Sequence, residues 1–483
     1  MRDFQLKRTN GFFAVLSLPS TAMGFALSIQ ISALSWILTT QYHLDIHDIG
    51  LVWAAGPLAG IIGQVIIGVI SDKTWFWGGR RRPFILIGGV LATLMLLALP
   101  NLDIISSSLG IGGILGVAIA VALTLDLAIN VSFNPTRAII ADVTGSGDER
   151  TKGYTWMQSI SGTFGVLAYA VGAVFDNYVL IYSGAVLVLL FSVIPPLFIT
   201  EPLELAEEEP EAAGPAPRKQ DSFLGMLIAI RPLWAFLAYD IYAMGRRMAG
   251  VTPDSYYAEI GCLVVTILLV AQALLEREDG RGLASFRKVI AAHSFSWVGI
   301  QTTFVFLFAF LQQQMPDLSD IDMGRVGSTA FLVLNAVGAA LPALVLMPIA
   351  HRIGRVKTHA GCLAFMTTGY VGLYFLAATP MQLWLLMAVV GIGWASIVSL
   401  PFAIVSQKVS QARMGLFMGL FNLSVVLPQL VVSLGVALMV SLAPDKNIIF
   451  AISAASLALS TICLLYTSPS PRDSSLHLVC RLL

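Results

Sequence analysis

Within the apolar run Val117 to Val131, interrupted otherwise only by Thr124 and Asn130, stands one acid, Asp126. A charged Asp at the centre of a helix in hydrocarbon costs about 2.5–3.5 kcal/mol on insertion scales, so it needs a partner or a purpose. The chemistry it suits is proton exchange. Burial disfavours the charged carboxylate and an arginine close by favours it, and that opposition is what a proton-driven switch uses. Arg137 follows three helical turns later, about 16 Å along one axis. The two fall on nearly one helix face but are too far apart for a direct bond in a straight helix. They can line one cavity, or meet through a ligand, water or a helix break at Pro135. In the alternative reading Asp126 serves helix packing and Arg137 anchors a helix end.

A second group of charges lies in Gly68 to Pro83, GVISDKTWFWGGRRRP. Asp72 leaves one apolar run; Gly78, Gly79, Arg80, Arg81 and Arg82 lead into the next. At a membrane surface so short a loop lets Asp72 fold back toward the arginines and neighbouring helix ends, as a clasp. The arginines alone would serve as a topology signal. Asp142 belongs with this clasp rather than with the proton site. In the second half Pro348 to Lys357, PIAHRIGRVK, occupies the corresponding place. Its acid is gone, replaced near His351, so the inner clasp there is expected to be weaker.

These residues must be held by membrane-spanning helices. The chain is 57% hydrophobic and 12% charged, with mean hydropathy +0.82. Soluble domains carry about twice that charged fraction. Apolar segments of about 20 residues recur, each long enough for about 30 Å of hydrocarbon. The fold class is an all-α polytopic membrane protein. Spans are expected near 11–38, 48–71, 84–100, 109–133, 155–175 and 179–199, then near 292–314, 326–350, 359–378, 381–406, 414–442 and 448–466. This divides the chain into an N-terminal six-helix bundle (1–200), an acidic Pro/Ala linker (201–222), an inserted segment (223–290) and a C-terminal six-helix bundle (291–462). The insert carries two further apolar stretches, Phe223 to Met244 and Ala258 to Leu275. A membrane-inserted hairpin is expected, although Arg231, Pro232, Asp240, Arg246 and Arg247 make the first stretch a poor span; the alternative is helices lying on the membrane surface.

With the N-terminus inside, most Lys and Arg fall in cytoplasmic stretches, against Arg246, Arg247, Arg325 and Lys446 outside. Arg2, Lys7 and Arg8 run directly into a full-length span, so no cleavable leader is expected. Net charge is zero, which implies no nucleic-acid partner. Cys262, Cys362, Cys463 and Cys480 show no paired spacing for disulfides or metal. No Walker glycine loop is present to couple ATP. No enzyme signature stands out, and no cofactor is expected. From Cys463 to Asp473 the chain reads like the translation of a sequencing-library transposon adapter. The natural coding sequence is expected to end near Ile462, with 463–483 an assembly artefact that carries no function.

Gly-x-x-x-Asp followed by Gly-Arg-Arg-Arg, at Gly68, Asp72 and Gly79 to Arg82, resembles the signature between the second and third helices of the major facilitator superfamily. Ser71-Asp72 with Gly79 to Ile85, Gly24-Phe25-Ala26-Leu27 and Gly56-Pro57-Leu58-Ala59-Gly60 resemble its sucrose and maltose proton-symporter branch, near the glycoside–pentoside–hexuronide:cation symporters. Leu125 to Asn130 with Pro135 to Asp142 is similar to the fourth helix of those symporters, whose Asp and Arg are both needed for proton-coupled uptake. The resemblance covers about residues 11–200 well and 290–462 more loosely. It departs at Ser28, where the branch usually carries Gln, and at Gln64-Val65, where it carries Gln-Pro.

The resemblance implies two six-helix bundles rocking about a central site, with Asp126 cycling a proton and Arg137 competing for it. Sugar hydroxyls need neutral donors and acceptors with an aromatic wall. Candidates are Gln30, Ser28, Asn130 and Asn134 in the first half, and Gln301, Asn335, Trp394 and Asn422 in the second, with Gln429 beside them. Taken singly, each can equally serve interhelical packing. The expected function is proton-coupled symport of a disaccharide or glycoside such as sucrose or maltose. The protein would be a monomer in the inner or plasma membrane, with the proton as coupling ion and lipid as its surroundings. The alternatives are an exporter or uncoupled facilitator on the same fold, or a membrane sensor that lost transport.

Overall fold

The computed structural model describes residues 5, 7–144, 148–202, 223–251, 255–277, 283–408 and 414–467. Side chains are described throughout these except at 61–69, 72–73, 223–224, 248, 343, 406–408, 414–415 and 467. The first half comprises α1 (Asn10–Thr40), α2 (Ile46–Lys73), α3 (Arg82–Ala98) with the short α4 (Leu102–Leu109), α5 (Ile114–Val143), α6 (Asp148–Val174) and α7 (Asn177–Phe198). Between the halves lie α8 (Phe223–Ala229), α9 (Trp234–Met248) and α10 (Tyr257–Leu275). The second half comprises α11 (Leu283–Gln314), α12 (Asp320–Leu341) continued by α13 (Met347–Ile353), α14 (Arg355–Leu376), α15 (Pro380–Ile397) with α16 (Leu400–Lys408), α17 (Met414–Val431) continued by α18 (Ala437–Leu442), and α19 (Ile448–Thr467). One π-helical turn each, Pro342–Leu346 and Val432–Val436, joins α12 to α13 and α17 to α18.

Eleven helices among the described residues are long and apolar enough to cross a membrane, and α10 is one of them. Each half repeats one packing plan. In the first, α1 packs on α6 and α7, α2 on α5, and α3 on α5 and α7. In the second, α11 packs on α17 and α19, α12 on α15, and α14 on α15 and α19. Counted in order within each half, the pairings are the same. The halves meet through α6 against α12 and α2 against α17 and α18.

Four helices re-enter the bundle at one end behind side-chain caps. Asp45 accepts from Asp48 N at 2.8 Å, Asp176 from Val179 N at 2.7 Å and Ser319 from Asp322 N at 3.2 Å. Thr379 and Gln382 form a reciprocal capping box. Each cap satisfies backbone donors that the helix start leaves open.

That end is also where the halves seal. Ser35 Oγ donates to Val305 O at 2.8 Å and Trp36 Nε1 to Asp320 O at 2.7 Å. Ser32 and Ser328 share a hydrogen bond of 2.6 Å, and Ser328 Oγ donates to Asn177 Oδ1 at 2.8 Å. Ser32, Asn177 and Ser328 have no exposed surface. Gly50 lets α2 lie directly on the second half: a Cβ there would sit 2.5 Å from Ser433 O. Toward the opposite end α6 opens to solvent, with Thr155, Ser159 and Thr163 exposed at four-residue spacing, whereas Ala168, Tyr169 and Gly172 are buried.

Two helices run further than their expected spans. α5 continues ten residues past 133 through Pro135, so Arg137 and Asp142 are helical and no break occurs. In membrane helices the backbone group that an interior proline frees can be satisfied by neighbouring helices, side chains or a local adjustment of the helix, so such a ring is tolerated. α11 begins at Leu283, ahead of the span expected from 292.

The first arm of the hairpin is broken: α8, a 3-10 turn at Arg231–Leu233 containing Pro232, then α9 of 15 residues. It nevertheless reaches from one end of the bundle to the other. Arg231 pairs with Glu276 at 3.5 Å, beside the start of α11, where Arg287 Nε also donates to Glu276 at 2.6 Å. Arg247 pairs with Asp48 at 3.5 Å at the start of α2 and contacts His47. Arg231 to Arg247 along a helix covers about 24 Å. Midway, Tyr239 packs against Gly435 of the π-helical turn and donates to Glu259 Oε1 at 2.9 Å. Residues 203–222, most of the expected linker, and 468–483, most of the suspect tail, lie outside the described residues; α19 runs through Ile462 to Thr467.

Candidate functional site

A cavity of about 310 Å³ lies between the halves. Its wall is built at helical spacing from several elements. Leu27, Gln30 and Ile31 come from α1; Trp53, Gly56, Pro57 and Gly60 from α2; Asp126, Ile129, Asn130 and Phe133 from α5. Across from them stand Trp297, Gln301 and Phe304 of α11, Trp394 of α15, and Asn422, Val425, Val426 and Gln429 of α17. Where a helix contributes several residues they recur within three or four positions of one another, so it presents one stripe.

Among the described residues Asp126 is the single ionisable one in this wall, and it is 5% exposed. Gln30 Nε2 donates to its Oδ2 at 2.9 Å. Helix α2 covers the carboxylate closely. A Cβ at Gly56 would lie 3.1 Å from Oδ2 and 3.3 Å from Oδ1, tighter than ordinary contact. Asn130 Nδ2 donates to Asp126 O at 2.8 Å.

Arg137 continues the same stripe toward the open end. Its guanidinium lies 4.0 Å from the centroid of the Phe133 ring, a cation–π contact, and the side chain is exposed. Tyr154 Oη donates to Arg137 O at 3.2 Å. Asp126 and Arg137 therefore do not pair in this conformation; Phe133 stands between the acid and the mouth.

The second-half wall is neutral. Gln429 Nε2 donates to Gln301 Oε1 at 3.2 Å. Trp297 and Trp394 meet edge to face at 6.1 Å, and Phe304 and Trp394 at 5.4 Å. Trp394 Nε1 donates to Asn335 Oδ1 at 3.1 Å, and Asn335 Nδ2 to Phe331 O at 2.9 Å. Trp53 is fixed by Nε1 donating to Ser35 Oγ at 2.7 Å. Amides and indole faces around one acid suit a neutral, hydroxyl-bearing ligand and a proton. Among the described residues no three His, Cys, Asp or Glu side chains gather as a metal site.

The structure thus brings Gln30, Asn130, Gln301, Trp394 and Asn422 to one cavity with Asp126. Ser28, Asn134 and Asn335 are outside its wall. Ser28 Oγ donates to Gly24 O at 3.1 Å, and Asn335 is held between Trp394 Nε1 and Phe331 O. Trp53, Trp297 and Phe304 were not singled out from the sequence. The signal was present for two of them: Trp297 and Phe304 stand four before and three after Gln301, on its face.

At the open end Arg81 Nε donates to Asp142 Oδ2 at 2.9 Å and Arg81 Nη1 to Ser71 Oγ at 2.9 Å. Glu201 is the member that sequence reasoning missed, having been assigned to a solvated linker. Its carboxylate accepts from the backbone N–H of Arg80, Arg81 and Arg82 at 2.7, 2.8 and 2.7 Å. It is an anion seated on the N-terminus of α3. Gly79 makes room for it: a Cβ there would lie 2.5 Å from Glu201 Oε1. Gly68 and Asp72 were expected in the clasp, but their side chains lie outside the described residues.

Comparison with known proteins now places the chain. The family description "Major Facilitator Superfamily" matches residues 16–433. The general alpha-glucoside permease of Schizosaccharomyces pombe is 31% identical over 174 residues, 32% of this chain and 31% of the permease. The match thus spans about a third of that relative's length. Sucrose transport protein SUC4 of Arabidopsis thaliana is 23% identical over 496 residues, covering 87% of this chain and 83% of that protein. The crystal structure of the nucleoside transporter NupG has the same fold, with a TM-score of 0.63 at 13% identity over 96% of this chain and 100% of that one. The chain belongs to the Major Facilitator Superfamily, a family of transporters and not of enzymes, and is an integral multi-pass membrane protein whose substrate is a small molecule.

Proposed function

We propose that this member of the Major Facilitator Superfamily couples the entry of a proton to uptake of a sugar, a disaccharide or glycoside such as sucrose or maltose, by alternating access. The observation that carries the reading is the buried Asp126 on the wall of a cavity otherwise lined by neutral amides, indoles and apolar groups. A neutral polyol would find donors, acceptors and stacking faces there, and the acid supplies the proton site. The names of the sucrose transport protein and the alpha-glucoside permease support the same substrate class.

With the N-terminus cytoplasmic, as the Lys and Arg distribution favours, the sealed end is external and this conformation faces inward. Proton and sugar enter from outside when the Ser32–Asn177–Ser328 seal opens. The inward-facing state then offers Asp126 a route to the cytoplasm past Phe133 and the exposed Arg137. Arg137 acts at the mouth: its charge favours loss of the proton by an acid approached through that passage. The Arg81–Asp142–Glu201 cluster holds α3 and the ends of α5 and α7 together as one body while the halves rock. The chain acts as a monomer.

The test is uptake of radiolabelled sucrose and maltose into proteoliposomes with and without an imposed proton gradient. Accumulation that requires the gradient and disappears in Asp126→Asn is the expected result. Equilibration without accumulation overturns coupling, and absence of flux from a folded protein overturns the sugar assignment.

A further inference from the structure

We propose that the Gln30 side chain reports the protonation of Asp126 to the substrate cavity by turning its amide end over. This rests on the proton-coupled reading of the site and adds to it the element that passes the signal on.

The geometry is specific. Gln30 on α1 is 4% exposed, borders the cavity, and donates Nε2–H to Asp126 Oδ2 at 2.9 Å. Its carbonyl Oε1 makes no hydrogen bond among the described residues, so the acceptor end remains for the cavity. An ionised carboxylate only accepts, which fixes the amide with nitrogen toward Asp126 and oxygen toward the ligand space. A protonated carboxyl carries one O–H donor. The amide answers it by a half-turn about its last torsion, which is broad and nearly two-fold, so the shape of the side chain is unchanged. Asp126 O–H then donates to Gln30 Oε1, and the amide NH2 faces the cavity. No covalent bond changes other than the O–H formed when a solvent proton reaches Asp126 and broken when it leaves.

The consequence is a change of hydrogen-bonding sign at one wall. With Asp126 ionised, a ligand oxygen meets a carbonyl and a negative charge, both acceptors. With Asp126 protonated, it meets two amide N–H donors. A sugar hydroxyl can donate or accept, but a ring or glycosidic oxygen only accepts, so an oxygen of that kind is complemented at this wall only after protonation. No second charge is needed. α2 presents the Gly56 backbone to the carboxylate, and among the described residues the side chain paired with it is Gln30. On α5 itself Asn130 is turned to Asp126 O and Arg137 lies beyond Phe133. From α3, Gly88 meets Ser132, and from α6, Tyr154 meets Arg137 O; among the described residues no charged group from these elements lines the cavity.

The test separates the switch from the sugar reading. The protein in lipid vesicles is titrated without sugar and followed by pH-difference infrared spectroscopy. The expected result is a protonated-carboxyl band absent from Asp126→Asn, with a side-chain amide band of the same pH midpoint absent from both Gln30→Leu and Gln30→Met. The amide band together with the carboxyl band supports the switch even if neither sucrose nor maltose is transported. A carboxyl band unchanged in the Gln30 variants with no accompanying amide band overturns the switch while leaving proton coupling intact. No Asp126-dependent band overturns both. In binding measurements, sucrose or maltose affinity of the unmodified protein is expected to tighten roughly tenfold on acidification, the effect of about one hydrogen bond to a neutral group gained against one lost. In Gln30→Met that pH dependence flattens. If it persists undiminished, the switch is refuted.

Discussion

Arg81, at the start of α3, donates to the carboxylate of Asp142 at the far end of α5. Arg355, at the matching start of α14, donates at 3.0 Å to the backbone carbonyl of Ala403 in α16, the matching continuation of α15. The two arginines do the same geometric work on helices that pair identically within their halves. Yet the first meets a carboxylate, and the helix it begins also carries Glu201 on its N-terminus. Among the described residues the second meets a neutral oxygen. The cavity shows the same division. The first half contributes Asp126, and the second contributes Gln301, Asn422, Gln429 and indole faces. Duplicated packing has kept the bodies alike, while at the cavity wall and at this loop the described carboxylates stand in one of them. The difference teaches that bundle shape needs the packing plan alone, whereas ionic chemistry is confined to one side of the cavity, with the opposite wall free to recognise neutral groups.

The strongest way to break this comparison is to exchange the two kinds of wall residue. Asp126→Asn is expected to abolish gradient-driven accumulation outright while leaving exchange of labelled for unlabelled sugar measurable, because the amide keeps hydrogen bonding but cannot carry the proton. Gln301→Leu is expected to weaken sugar affinity about tenfold, near 1.4 kcal/mol, through loss of one hydrogen-bonding group. Its accumulation ratio at saturating sugar should be unchanged. Proteoliposome uptake and counterflow read both. A variant at Gln301 that uncouples the proton would dissolve the proposed division.

Next in size is the cluster at the open end. Arg81 and Asp142 side chains are 7% and 10% exposed, so removing one partner strands the other out of water. Breaking a buried pair in this way costs about 3–5 kcal/mol. Arg81→Ala should therefore lower the thermal midpoint of the detergent-solubilised protein by more than any single change in the second-half loop. Glu201→Gln tests the helix cap: it replaces one accepting oxygen by an NH2 facing a backbone donor, at about 1–3 kcal/mol for the group left unsatisfied. A midpoint unmoved by Glu201→Gln would show that the α3 terminus is served otherwise.

What the sequence made legible follows from range. Asp126, Asn130 and Arg137 belong to one helix, so their common face is read from spacing alone. The spans are legible because hydrocarbon thickness sets their length. Glu201 was not, because its partners lie some 120 residues away and nothing local distinguishes it from the acids that follow it. Gln30 and Ser28 share α1 and similar chemistry, and only the packing of α2 and α5 decides that the first reaches Asp126 while the second turns to Gly24 O. The run of α5 through Pro135 was hidden for the same reason. Whether an interior proline breaks a helix depends on neighbours the sequence does not locate.

A smaller effect is expected where the halves touch. Ser328→Ala removes a buried hydroxyl shared with Ser32 and Asn177 across the seal. One neutral hydrogen bond contributes about 1 kcal/mol, so the sealed state should lose about fivefold in population against the state open at that end. Spin labels placed on α6 and α12 near this end would report the shift as a growing long-distance component. An unchanged distance distribution would mean that the seal is held by packing, such as Gly50 on Ser433, and not by these hydroxyls.

The smallest effect is assigned to Arg355→Ala, and it is the sharpest check on the asymmetry. Arg355 is half-buried and its bond goes to a carbonyl that solvent at the bundle end can also satisfy. Loss of the guanidinium strands no charge, so the change is limited to one hydrogen bond and some stem packing, about 0.5–1.5 kcal/mol. Its thermal midpoint should fall clearly less than that of Arg81→Ala, measured side by side in the same detergent. A fall as large as that of Arg81→Ala would require a hidden anionic partner for Arg355.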